Sequence, residues 1–250
     1  MPFPKPLIAF ALFFVLSVNA HAATVRELYE QAVDAYNNQQ LDRSIELYQE
    51  ITKMAPHFAP AYVGIGLALK SKGADMDEVL YYYKTATEMD PTNAPAFEQL
   101  GRLYYSLNKF DKAEKNFIKA LSIDPGMMDA KLSLAWIYLL GKSKPATAIR
   151  YFKDVLKVSP QPNVYFGLGM AYFANNNRIE AMEMITTLKK MGQDDFANRL
   201  EQMVRENRRV MATPTTEQSD PAEAQAAQPA APATDTGVKV RLRGKLSDLD

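Results

Sequence analysis

The sequence predicts an all-α chain, a solenoid of helix-turn-helix repeats closed by a capping helix and followed by a tail that does not fold. Three observations carry this reading. Prolines 56, 91, 125 and 160 close the similar strings ITKMAP, ATEMDP, ALSIDP and VLKVSP and stand 35, 34 and 35 residues apart, which marks a repeat array. A small residue follows each proline, at Gly66, Gly101, Ala135 and Gly169, after 10, 10, 10 and 9 positions. Between these markers apolar residues recur at helical spacing, so each unit reads as two amphipathic helices.

The chain begins with Lys5, an apolar run from Leu7 to Val18, and NAHAA, in which Ala20, His21 and Ala22 give small-x-small before a cut at Ala22/Ala23. This pattern is that of a signal peptide over residues 1–22. A run of roughly twelve apolar residues is shorter than the 18 or so that a membrane span needs. The expectation is therefore an exported, periplasmic protein whose membrane contact is at most peripheral. No cysteine occurs, which excludes disulfides, a lipid-modified cysteine, Cys-ligated zinc and thiol catalysis. With 29 basic and 29 acidic residues, nothing in the overall charge points to nucleic acid.

The repeats follow as 25–58, 59–93, 94–127, 128–161 and 162–193, within a solenoid over 23–212. In each, the small residue of the first helix (Ala32 in the first unit) allows close approach to a slim residue of the second: Ser44, Val79, Ala113, Ala148 and Ala181. One turn on, Tyr48, Tyr83, Phe117, Phe152 and Ile185 are placed to fill the gap between the two helices. The proline then ends the second helix. The spacing between small residues is 12, 13, 12, 13 and 12, so the second and fourth units carry one extra residue. The turn-rich strings KGAD (72–75) and GKSKP (141–145) are expected to absorb it. Residues 194–212, with Phe196, Leu200, Met203 and Val204 at helical spacing, read as the helix that covers the last repeat.

The third unit carries a specific likeness. Through Phe97, Leu100, Gly101, Tyr104, Ala113, Phe117, Ala120 and Pro125 it resembles the tetratricopeptide repeat. The resemblance implies a right-handed superhelical solenoid whose first helices line a concave groove that binds peptides. The positions it places on that groove are Tyr29, Val33 and Tyr36; Val63, Leu67 and Lys70; Glu98, Arg102 and Tyr105; Leu132, Trp136 and Leu139; and Phe166, Met170 and Phe173. Family members that clamp a peptide carboxylate use Lys, Asn and Arg here, whereas only Lys70 and Arg102 are basic in this chain. An exposed stripe this apolar would mark an interaction site. The competing reading is that such residues are core, packed against the neighbouring repeat. Trp136 is the leading candidate anchor, because Trp is enriched at interface hot spots.

Residues 213–236 hold four acidic residues, no Lys or Arg and no aromatic, so they read as a disordered Ala/Pro-rich linker. Residues 237–250 reverse this: Val238, Val240 and Leu242 alternate with Lys239, Arg241 and Arg243, as in a short strand with one apolar and one basic edge. Three uses stay open for that peptide: strand addition to a partner's sheet, contact with an anionic surface, or occupation of the protein's own groove.

Catalysis is not expected. His21 would leave with the signal peptide and His57 stands alone, so no metal cluster can be built. GKS at 141–143 lacks the earlier glycine of a phosphate loop, and GIG at 64–66 and GLG at 167–169 lie inside helices, where close packing accounts for the second glycine. No cofactor is expected. The sequence thus points to an exported adaptor that binds a protein or peptide partner in cell-envelope assembly. A homo-oligomerising structural protein and a periplasmic chaperone are the alternatives.

Overall fold

The computed structural model describes residues 24–212, with side chains to Glu206; the signal peptide read over 1–22, the linker 213–236 and the basic peptide 237–250 lie outside the described residues. The described residues are helical throughout and contain no strand. In order they form α1 (24–37), α2 (Leu41–Met54), α3 (Ala59–Lys72), α4 (Met76–Met89), α5 (Ala94–Ser106), α6 (Phe110–Ile123) and α7 (Met128–Trp136). A π-helical turn (Ile137–Gly141) follows, then α8 (Pro145–Leu156), α9 (Pro162–Ala174), α10 (Arg178–Lys190) and α11 (Asp194–Ala212). Two compact units part between Leu100 and Gly101, inside α5.

In the first unit the close approach of helices is sealed by small residues. Ser44 lies fully buried and its hydroxyl donates to the Ala32 carbonyl at 2.9 Å, the one hydrogen bond its burial requires. Tyr83 fills the gap inside its own helix pair, where a Cβ on Gly66 would collide with its ring. Tyr48 behaves differently: its ring lies over Gly64, a residue of the following helix pair. Both glycines of the α3 Gly-Ile-Gly are therefore needed for packing, where the sequence accounted only for the second.

In the second unit Phe117 lies on Gly101 of its own pair, about as close as a Cβ would tolerate, 3.0 Å. Phe152 again reaches forward, to Gly167 of the next pair, and Trp136 closes on the same glycine, with ring atoms 2.5 and 3.0 Å from where a Cβ would sit. Gly169 is covered by Leu200 of α11, which packs against α9 and α10. Ala197 and Leu200 are fully buried, while Phe196 and Met203 pack from the edge of the same core.

The turns resolve where the two extra residues go. One residue in the left-handed region precedes the second helix in every unit: Gln39, Gly73, Asn108, Ser143 and Asn176. Counted from the small residue of the first helix, it stands 7 positions on in all units except the fourth, where Ala135 to Ser143 is 8. Counted forward to the small residue of the second helix, it stands 5 positions away except in the second unit, where Gly73 to Val79 is 6. The second unit thus lengthens its turn, as KGAD suggests. The fourth does not: the extra residue is taken into the helix as a π-helical turn, with the Lys142 N–H donating to the Ile137 carbonyl at 2.9 Å. The expectation that GKSKP absorbs it is corrected: the π-helical turn ends at Gly141, which lies close against the Phe110 ring, 2.6 Å from a Cβ position, a fit that favours keeping this end of the helix in place.

A second correction concerns the prolines. Helices α2, α4 and α6 end at Met54, Met89 and Ile123, directly before the residue that precedes each proline. Helix α8 stops at Leu156, and the N–H groups of Val158 and Ser159 both close on the Val155 carbonyl (3.1 and 2.8 Å), so a separate turn intervenes before Pro160.

Candidate binding faces

In the first unit the expected groove positions divide by burial. On α1, Tyr29, Val33 and Tyr36 share a face, yet Tyr29 is 6 % exposed while Val33 and Tyr36 are half-buried. Tyr29 is enclosed by Tyr48 and Phe58, both edge-on at 5.8 and 5.4 Å. Burial pushes its hydroxyl above the usual tyrosine range, and that oxygen meets no hydrogen-bond partner among the described residues. The Tyr36 hydroxyl stays at the surface and bonds with the Ser71 Oγ at 3.0 Å. On α3, Val63 is core with Ala59, Ala86 and Ala96; Leu67 borders that cluster half-buried, and Lys70 is exposed. Glu98 on α5 is half-buried.

In the second unit the same division is sharper. Trp136, Leu139, Phe166 and Met170 all belong to the core cluster. Trp136 is 7 % exposed and meets Phe152 edge-on at 5.2 Å. Phe166 lies against Phe196 of α11, with the Arg199 guanidinium over its ring at 5.4 Å. Arg102, Tyr105, Leu132 and Phe173 remain half-buried. The expectation of an open stripe is therefore corrected for Tyr29, Val63, Trp136, Leu139, Phe166 and Met170. Tyr29 is enclosed by Tyr48 and Phe58, Trp136 meets Phe152 and Phe166 meets Phe196, contacts from later in the chain that the periodicity of one helix does not show, while Val63, Leu139 and Met170 belong to the core clusters. Val33, Tyr36, Leu67, Lys70, Glu98, Arg102, Tyr105, Leu132 and Phe173 keep surface to offer.

Two features were missed by the sequence reading. Tyr81 on α4 is 63 % exposed and edge-on to Tyr82 at 5.3 Å, an aromatic pair on a second helix. The other is a recurrent tie. Lys72, the residue before the left-handed Gly73, pairs with Asp42 near the start of α2. Lys142, the residue before the left-handed Ser143, pairs with Asp111 at the same place in α6, at 2.7 Å. A lysine one before a left-handed turn residue and an aspartate at the second position of the preceding second helix would have been a legible signal.

Lys142 also pairs with Glu114, whose other oxygen accepts from the Tyr138 hydroxyl at 2.5 Å, and Tyr138 stacks on Tyr151 at 5.5 Å. Hydrogen bonds to Asp111 and Glu114 hold the Lys142 ammonium above the usual lysine range. Burial pushes the Glu114 carboxyl up, but the hydrogen bonds from Lys142 and Tyr138 outweigh it and leave it below the usual range. Burial and the bond to Glu114 push the Tyr138 hydroxyl to about 12. Among the described residues no group of acidic or His side chains could hold a metal ion, and no helix is long and apolar enough to cross a membrane.

Residues 29–94 and 94–127 match models of the tetratricopeptide repeat. Among curated proteins the chain is similar to Superkiller protein 3 of Schizosaccharomyces pombe, 23% identical over 163 residues, which is 62% of this chain and 12% of that protein. It therefore spans only a small part of that relative. Among solved structures it is similar to YrrB, a TPR protein with an unusual peptide-binding site, at a TM-score of 0.61 and 18% identity, covering 74% of this chain and 99% of the other. It is also similar to PilF of Pseudomonas aeruginosa, at a TM-score of 0.60 and 15% identity, covering 75% and 93%.

Proposed function

From a chain that carries tandem tetratricopeptide repeats, a scaffold for protein–protein interaction and in general a non-catalytic one, we propose an exported adaptor that holds a peptide or helix of a partner on its first-helix faces and works in assembly of the bacterial cell envelope. The observation that carries the reading is the division of each face. A buried half anchors it, and a half-buried aromatic and aliphatic half stays open: Val33, Tyr36 and Leu67 in one unit, Tyr105, Leu132 and Phe173 in the other. Such residues gain by covering one another with an apolar helix face or alternate side chains of an extended peptide. The peptide-binding site of YrrB, a neighbour in fold, supports the same use of the fold. Export is supported by Lys5, the run from Leu7 to Val18 and the small-x-small string Ala20 to Ala22.

One experiment tests both halves. A photo-crosslinking residue is placed at Tyr36, at Tyr105 or, as a control on a second helix, at Glu88, and the cells are fractionated after irradiation. The reading expects one discrete adduct from Tyr36 and Tyr105, none from Glu88, recovered in the fraction released by osmotic shock and accessible there to added protease. Recovery of the protein in the cytosol would end the export reading, and equal crosslinking from all three positions would end the face reading.

A further inference from the structure

The balanced overall charge conceals two adjoining stretches of opposite sign. Residues 24–100 contain 6 Lys/Arg and 12 Asp/Glu, 6 − 12 = −6, whereas residues 101–160 contain 11 and 5, 11 − 5 = +6. The excess is laid out in stripes. On α1, Glu27, Glu30 and Asp34 are exposed at i, i+3 and i+7, and none of the three forms an ion pair among the described residues. On α8 and its C-terminal end, Arg150, Lys153 and Lys157 are exposed at the same i, i+3, i+7 spacing. Among the described residues Arg150 is in no ion pair, Lys153 lies over the Tyr172 ring at 5.5 Å, and Lys157 pairs only with the exposed Asp154. An exposed pair of that kind contributes little and is readily exchanged. Val158, next to the basic stripe, is 65 % exposed and supplies apolar surface beside the charges.

We propose that the occupant of the acidic α1 face is the basic α8 face of a second copy of this chain. Both stripes run about 10 Å along their helices, so three opposite charges can meet three at once. The contact joins unlike surfaces, so a joined pair keeps one free face of each sign, and association proceeds to a ring or an open chain of molecules. Like-charge faces repel, which rules out the symmetric arrangements α1 on α1 and α8 on α8. The contact uses α1 residues other than Val33 and Tyr36, and its test does not require a partner on those residues.

The test is the mass of the full chain by light scattering, from about 1 to 200 μM, at about 50 and 300 mM salt, a range over which screening of exposed charges tightens markedly. The expected result is a mass above one chain that grows with concentration at low salt, with a dissociation constant at least about tenfold weaker at high salt. Two variants carry the decisive arm: Glu27→Lys/Glu30→Lys/Asp34→Lys, and Arg150→Glu/Lys153→Glu/Lys157→Glu. Each alone stays a single chain, and an equimolar mixture of the two associates again. If either triple variant does not fold, by helical circular dichroism, the single neutralisations Glu30→Gln and Arg150→Gln replace them, each expected to weaken association by about threefold. A single chain at every concentration in low salt overturns the proposal, as does association that survives both reversals. Association that is lost on removing residues 237–250 but survives the α8 reversal overturns it in favour of the basic C-terminal peptide as occupant.

Discussion

Phe152 packs on Gly167, a glycine of the following helix pair, rather than on a small residue of its own pair. Its ring is fully buried and meets Trp136 edge-on, so one aromatic residue of α8 ties α7 to α9. Phe152→Ala is expected to cost about 3–5 kcal/mol, through lost transfer energy and the cavity left behind. Gly167→Ala is expected to cost about 1–3 kcal/mol, because the new Cβ meets both rings. The pair Phe152→Leu with Gly167→Ala should cost less than the sum of its parts, since the smaller side chain makes room for the methyl group. Urea unfolding of Phe152→Leu, of Gly167→Ala and of the pair checks this; strict additivity would mean that the two residues do not share the space.

The helix pairs and their small-residue seams were legible because period and packing repeat along the chain, as Pro91, Gly101, Ala113 and Phe117 show. Burial on the groove face was not legible. Tyr29 and Tyr36 stand on one face of α1, but only the first is roofed by Tyr48 of α2 and by Phe58 of the turn before α3. Trp136 shows the same limit: periodicity gives the face, and only the placement of Phe152 and Gly167 shows that this part of the face is closed. The π-helical turn was beyond a count of residues, since an insertion reads alike whether a helix or a turn takes it. The close fit of Gly141 on Phe110, which favours the helix, is visible only in three dimensions.

That turn makes a deletion test possible. Removing Leu140, which is 37 % exposed, brings Ala135 to Ser143 down to the 7 positions of the other units. The helix is then expected to continue as α-helix, with Lys142 still next to its left-handed residue and still paired with Asp111. Stability should change by no more than about 0.5 kcal/mol, the usual scale of a surface change. Removing Ile137, which is fully buried, should cost about 2–5 kcal/mol. Thermal unfolding and amide exchange of Lys142 read the outcome, and a Leu140 deletion as damaging as that of Ile137 would show that the π-helical turn itself is required.

The Lys142 tie predicts a pH dependence of definite sign. Asp111 is held below the usual carboxylate range by its hydrogen bond to Lys142, and Glu114 is also lowered, so their contribution is present above the unfolded-state values. It is lost as pH falls through the folded-state values, below about 4. Lys142 is raised, so its contribution is complete below the usual lysine value of about 10.5 and fades only at higher pH. Between about pH 6 and 9 the tie should therefore be constant. Lys142→Met is expected to flatten the acid limb of a stability–pH curve and to leave the slope at neutral pH unchanged. An acid limb identical to that of the parent protein would show that the tie carries no stability.

Leu200 on Gly169 makes α11 the cover of the last repeat, because the hollow left by the glycine, bordered by Met184, is filled by the leucine. Leu200→Ala is expected to cost about 2–5 kcal/mol, and a chain stopped at Gln193 should lose more, since Val164, Phe166 and Leu188 would face water. The loss should be local at first. In a repeat array each unit leans mainly on its neighbours, so amide exchange is expected to rise in α9 and α10 before it rises in α3 and α4. Phe166→Ala in the parent protein should reproduce part of this pattern, because its ring lies on Phe196 and under Arg199 of the same helix. Uniform loss of protection from α1 to α10 on removing α11 would instead mean that the described chain unfolds as one cooperative body, with α11 as an integral part of it rather than a cover.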